Sequence, residues 1–173
     1  MELRELQTGD EQAFLKAVEA FQGETEDFRF AIGFEPRLGF ETFRLLQEQW
    51  SRGENLPLGF VPSTYYVGVV DGMVVGRVFI RHELNDFLER IGGHVGYGVV
   101  PGFRRKGYAT EMLRLALPLC SSLGLEKILV TCDVDNVGSR KVIENCGGIF
   151  AGISDEPEID VQKRKYWIET PSL

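Results

Sequence analysis

The segment Arg104-Arg105-Lys106-Gly107-Tyr108-Ala109 follows directly on the apolar run Val95 to Val100 and precedes a long helical pattern. A strand that feeds a tight glycine turn and then a helix leaves backbone N–H groups without intrahelical partners at the helix start. Those donors, the positive end of the helix dipole and three adjacent cationic side chains together suit an anion, above all a phosphate or diphosphate. Two commoner phosphate sites are excluded. A Walker loop, Gly-x-x-x-x-Gly-Lys-Ser/Thr, is absent. Gly96 and Gly98 begin like a dinucleotide fingerprint, but the third glycine is misplaced, Pro101 intervenes, and both glycines fall inside the strand. Glycines within a strand imply a bulge, or the close approach of another chain or a ligand to the backbone.

Few other residues could carry chemistry. Cys120, Cys132 and Cys146 lie within apolar patterns, and His82 and His94 are the only histidines, so no residues have metal-ligand spacing. The cysteines read as buried free thiols in a reducing compartment. The formal net charge of −7 argues against nucleic acid as a partner and makes the Arg104–Lys106 cluster a local exception. Hydrophobic residues at 43% and charged residues at 26% are ordinary globular usage. No apolar run approaches the ~18 residues of a membrane span, so a cytoplasmic protein with no membrane partner is expected. A length of 173 residues suits one domain, 1–173, with a sizeable core.

The elements that must position the turn can be read from periodicity. Met1 to Leu6 reads as a short strand. Thr8 and Glu11 make a capping-box pair for a helix carrying Phe14, Leu15, Val18 and Phe21, and Phe40, Phe43, Leu46 and Trp50 mark a second helix. Asp71-Gly72 predicts a hairpin between strands Tyr65–Val70 and Met73–Arg81, and residues 84–91 make a polar connection to the strand His94–Val100. Ala109, Met112, Leu113, Ala116, Cys120 and Leu123 share one helix face, with Pro118 on the solvent stripe alongside Glu111, Arg114 and Ser121. A strand at Lys127–Cys132, a short helix over Asn136–Asn145, and two closing strands complete the chain. An antiparallel hairpin leading into a strand–helix–strand unit predicts an α+β class rather than a uniform βαβ array.

Two motifs in this frame carry a family resemblance. Val99-x-Pro101-x-x-Arg104-x-x-Gly107-x-Ala109 resembles the acyl-CoA-binding motif of the GNAT superfamily of N-acetyltransferases, whose core is Arg/Gln-x-x-Gly-x-Gly/Ala. Asn136-x-x-Ser139-x-x-Val142-Ile143-x-x-x-Gly147 resembles the second motif of that superfamily, at the expected distance downstream. The resemblance spans roughly residues 65–155, and Gly92 to Tyr97 resembles the strand opening of a "predicted acetyltransferase" branch. It implies a three-layer α/β/α fold with a mixed, mostly antiparallel sheet splayed at the central strand. Residues of about 1–62 would form the acceptor side, and those of about 63–155 the CoA-binding core.

By position, the resemblance implies that the CoA diphosphate sits on the backbone N–H groups of Arg105 to Thr110, including Lys106, Gly107, Tyr108 and Ala109, with side-chain contacts from Arg104, Arg105 and Lys106. It implies that the pantetheine arm pairs with Tyr97, Gly98 and Val99, with Asn136 and Ser139 beside it. Gly96 and Gly98 would form the bulge that splays the strand. The implied reaction is direct attack of an amine on acetyl-CoA, with acetyl-CoA as co-substrate and no metal. Many relatives carry an acid Tyr seven residues after the Asn, where this chain has Ile143, and others carry an acidic residue where it has Thr131. Tyr97 or Tyr108 could replace the missing acid. His94 is the first candidate base and Glu83 the second. The acidic runs at 24–27 and 155–160 favour a cationic amine acceptor, and a homodimer is compatible with the family. Two other classes remain open: a CoA-binding sensor without catalysis, and a module for a different diphosphate.

Overall fold

Asp71 and Gly72 both adopt positive φ, 49° and 74°, the two-residue turn geometry that matches strand twist. The turn joins β2 (Ser63–Val70) to β3 (Met73–Arg81) in an antiparallel pair running from Val70↔Met73 to Ser63↔Arg81. The computed structural model describes residues 1–22, 29–156 and 161–172, and of 155, 156 and 161 the backbone alone. Seven strands form one mixed sheet in the order β1-β2-β3-β4-β5-β7-β6, with β1 at Glu2–Glu5, β4 at Val95–Val99, β5 at Lys127–Asp133, β6 at Ile149–Glu156 and β7 at Val161–Glu169. Every neighbouring pair is antiparallel except β4 with β5.

Helices cover both faces, as the α+β reading expects. On one face α1 (Glu11–Ala20) and α2 (Gly39–Ser51) pack over β2 and β3 through an aromatic core. The Phe14 ring lies 5.2 Å from Phe34, 5.2 Å from Phe40 and 5.1 Å from Phe43. On the other face α3 (Tyr108–Ser122) and α4 (Val137–Asn145) bury an aliphatic core of Val78, Ile80, Val95, Met112, Leu113, Val130 and Ile143. Cys120, Cys132 and Cys146 belong to this second core, where burial raises all three thiol pKa values and so disfavours thiolates.

Several expectations need correction. Thr8–Asp10 is a 3-10 turn, and the capping box is made by Gln7 and Asp10 rather than Thr8 and Glu11. Arg4 grips Asp10 with two bonds of 2.6 and 2.8 Å, and that hydrogen bonding holds the Asp10 carboxyl below the usual carboxylate range. The connection after β3 is not wholly irregular, since Leu88–Gly92 forms a π-helical turn packed over β5, β6 and β7. Pro118 does face solvent, but Ser121 is buried, its hydroxyl donating to the Pro171 carbonyl at 2.7 Å. Gly96 and Gly98 sit in regular register with β3, so the expected bulge in β4 is absent. The register shifts lie instead at Gly68/Val69 in β2 and at Phe150/Gly152 in β6. No helix among the described residues is long and apolar enough to cross a membrane.

Candidate functional site

Strand pairing builds the site before any side chain does. β4 runs in register with β3 from Ile80↔Val95 to Gly76↔Val99, yet meets β5 at one pair only, Val95↔Val130. From Gly96 onward no strand among the described residues pairs with β4 on that side, and a cleft opens between it and β5. The splay arises without a bulge. Val100 N–H donates to the Val75 carbonyl, and antiparallel residues alternate in the direction of their polar groups. The even residues of β4 thus serve β3, while Tyr97 and Val99 turn theirs toward the cleft. The Val99 carbonyl accepts from Arg104 Nε at 3.2 Å. The N–H and C=O of Tyr97 and the N–H of Val99 complete the open edge.

The glycine turn closes one end of this cleft. Pro101–Phe103 makes a 3-10 turn, Arg105 takes φ 61°, and Gly107 takes φ 86° as the N-cap of α3. Gly107 has no side chain with which to cap the helix, and the first intrahelical bond is Glu111 N–H to the Gly107 carbonyl at 3.1 Å. The N–H groups of Tyr108, Ala109 and Thr110 precede that bond and point out of the helix end, which carries the positive end of the dipole. A Cβ at Gly107 would meet no atom within 4 Å, so the space over the turn is open. Arg104 is drawn back to the Val99 carbonyl, its guanidinium 5.7 Å from the Phe21 ring centroid, and Lys106 Nζ lies 5.3 Å from that of Phe103. Backbone donors thus line this turn, while Arg104 and Lys106 are drawn to Val99 and Phe103.

Across the cleft, Asn136 caps α4: its side-chain oxygen accepts Ser139 N–H at 2.9 Å, and among the described residues no acceptor bonds its amide nitrogen. Tyr97 OH meets Ser139 Oγ at 2.7 Å and the Ser139 carbonyl at 3.2 Å. The two sequence motifs are thus joined by one hydroxyl from β4. Burial raises the Tyr97 pKa, with the Ser139 bond opposing, so this phenol stays protonated. Ile143, in the place of the common acid Tyr, is fully buried in the aliphatic core. Among the described residues no group of His, Cys, Asp or Glu could hold a metal ion.

The opposite face of β4 carries His94, Gly96 and Gly98, between α1–α2 on one side and the 88–92 turn on the other. His94 is a clasp rather than the expected base. Its N–H donates to the Leu129 carbonyl at 2.7 Å, and its Nδ1 accepts Leu129 N–H at 2.9 Å. That fixes the proton on Nε2 and occupies the one basic lone pair. Burial first, and the Arg81 cation second, push its pKa down to about 4. Glu83 is exposed just past the end of β3. The acidic run 24–27 and residues 157–160 of the acidic loop lie outside the described residues, so the expectation drawn from them has no structural counterpart.

Sequence reasoning missed Arg77 and Arg81. Both lie on the α1–α2 face of β3, and burial lowers both to about 10. Arg77 donates to the Gly96 and Arg29 carbonyls, each at 3.1 Å. Arg81 donates from Nη1 alone to the Gly92 and Gly93 carbonyls at 3.2 and 3.0 Å. The signal was available: two arginines four apart, on one parity of an otherwise apolar strand.

The sequence model of the acetyltransferase (GNAT) domain matches residues 1–149. No curated protein sequence matches the chain. Among solved structures, Mycobacterium smegmatis RimJ in complex with CoA-disulfide is similar at TM-score 0.71 and 21% identity, over 96% of this chain and 80% of that one. A point mutant of spermidine N-acetyltransferase SpeG from Vibrio cholerae gives 0.61 and 19%, over 98% and 95%. YncA from Salmonella typhimurium with acetyl-CoA gives 0.64 and 11%, over 99% and 95%. At these identities the likeness is one of fold.

Proposed function

The chain belongs to the GNAT acetyltransferase family, and on that premise we propose that it moves the acetyl group of acetyl-CoA to a primary amine of a small molecule or peptide by direct attack. The observation that carries the reading is the open edge of β4, which leads straight to the uncapped start of α3. An amide-bearing pantetheine arm can pair with Tyr97 and Val99 as an added strand, and a diphosphate matches the N–H groups ahead of Glu111. The Asn136 amide nitrogen supplies a donor on the far wall. Acetyl-CoA enters as a substrate, and no metal is required.

In this reading the residues act as follows. An alkyl amine near its ordinary pKa of ~10.4 must lose a proton, at a cost of roughly 4–5 kcal/mol at neutral pH. With the His94 lone pair engaged, exposed Glu83 takes that proton through water. A β4 N–H at the open edge stabilises the oxyanion. Tyr97 OH, protonated and held by Ser139, stabilises the departing thiolate from β4, the α4 position being Ile143. That buried Ile143 is also what favours the second reading, a CoA sensor without turnover.

Thiol release from acetyl-CoA across an amine panel tests the reading. Amine-dependent release, lowered at least tenfold in Glu83→Gln with CoA affinity unchanged, is the expected result. Tight CoA binding with no release for any amine would leave the sensor. No CoA binding at all would remove both.

A further inference from the structure

Resting on the acetyltransferase reading, the geometry points to an anion subsite on the acceptor side: the α1–α2 face of β4 at Gly96 receives a carboxylate or phosphate carried by the acceptor beside its amine, with Arg81 as the ligand. On this face β4 presents Gly96 and Gly98 without side chains. Gly96 is partly exposed, and a Cβ built on it would lie 3.5 Å from Arg77 Nη1 and 4.0 Å from Arg81 Nη1. Two guanidinium groups therefore converge over one glycine, on the face opposite α3. With no Cβ on Gly96, the two guanidinium groups close directly on the strand backbone.

Arg81 is the group with donors to give. Its Nη1 serves the two carbonyls of the 92–93 turn, and among the described residues no carboxylate or other acceptor bonds to its Nε or Nη2. Glu83, Asp86 and Glu89 are all exposed, and none pairs with Arg81. Its guanidinium also lies 5.6 Å from the Phe79 ring centroid. A largely buried cation lying close to a second cation, with backbone dipoles as its polar partners, is an arrangement that an incoming anion relieves. The fork of Nε and Nη2 fits a carboxylate or phosphate through two parallel bonds. The site lies between α1–α2 and the 88–92 turn, beside the N-terminal end of the open β4 edge, where an amine must stand to reach the thioester. This reverses the sign of acceptor charge expected from the acidic runs of the sequence.

The test uses the whole chain and matched probes that differ by one anionic group: glycylglycine against glycylglycinamide, and phosphoethanolamine against ethanolamine. Each is measured by thiol release from acetyl-CoA and by calorimetric titration into the CoA-bound protein. The first pair reads a carboxylate and the second a phosphate. The expected result is a preference of at least about tenfold in KM or Kd for the anionic member of one pair. Arg81→Gln should lose that preference with CoA affinity intact, and Arg81→Lys should restore part of it. Equal response to both members of both pairs, or no response to any, overturns the proposal. So does a preference that survives in Arg81→Gln. If Arg81→Gln does not fold, the wild-type pairs decide alone. Failure of CoA itself to bind would instead remove the acetyltransferase reading, so the two failures are distinguishable.

Discussion

The two sides of β4 are built by different means. On the β5 side and at the α3 turn the open polar groups are backbone: the Tyr97 and Val99 edge, and the N–H groups of Tyr108 to Thr110. On the α1–α2 side the polar groups are side chains from separated segments, Arg77 and Arg81 on β3 with His94 clasped to Leu129 on β5. Backbone recognition demands a particular local conformation, which only certain residues permit. Side-chain recognition demands a particular tertiary neighbour, which almost any sequence spacing can supply. In the proposed reading the donor half of the reaction is therefore generic and written locally, and the acceptor half is individual and written in the packing.

The largest expected break falls on the donor side. Gly107→Glu forces a Cβ into a φ of 86° and places a carboxylate over the anion site, so CoA affinity should drop at least about 100-fold, roughly 2.7 kcal/mol, by calorimetry. The left-handed φ costs some stability, but the circular dichroism spectrum should keep its folded shape, because nothing lies within 4 Å of the new Cβ. An unchanged affinity would move the anion site elsewhere.

On the acceptor side, His94→Leu separates clasp from base. It strands the buried Leu129 N–H, so stability should fall by about 1–3 kcal/mol in urea unfolding while CoA affinity changes little. Were His94 the base, stability would hold and the rate would fall by roughly 10²–10⁴.

The same residue gives a pH signature. Its folded pKa of about 4 lies below the ordinary 6.5, so protons bind the unfolded chain better. The His94 contribution to stability is then complete above about pH 6.5 and is lost as pH falls toward about 4. A urea midpoint that declines over that window, and declines less in His94→Leu, is the expected result. A flat midpoint would contradict the buried, neutral ring. The smallest effect joins the two motifs: Tyr97→Phe removes one hydroxyl bond to Ser139 and should weaken CoA binding by only about 2–10-fold. A larger rate loss than binding loss there would sharpen its part in thiolate departure.

The same contrast explains what was legible in the sequence. The Asp71-Gly72 hairpin and the Arg104–Ala109 turn were readable because positive φ at Gly72 and Gly107 restricts which residues fit. The α+β order followed from periodicity alone. The bulge expected at Gly96 and Gly98 was a misreading. Those glycines leave the α1–α2 face bare, while the splay comes from β5 turning away after Val130. His94 looked like a base because its pairing with Leu129 joins residues 35 positions apart, beyond the reach of any local pattern. Arg81 passed as a strand terminus for the same reason, since its partners Gly92 and Gly93 come from the folded-back turn.

The most direct test of backbone recognition is amide hydrogen exchange by NMR on the whole chain, with and without CoA. Slowed exchange at Tyr97, Val99 and Tyr108 to Thr110, with Leu129 and His94 unchanged, is the predicted result. CoA-dependent protection that misses both the β4 edge and the start of α3 would contradict it.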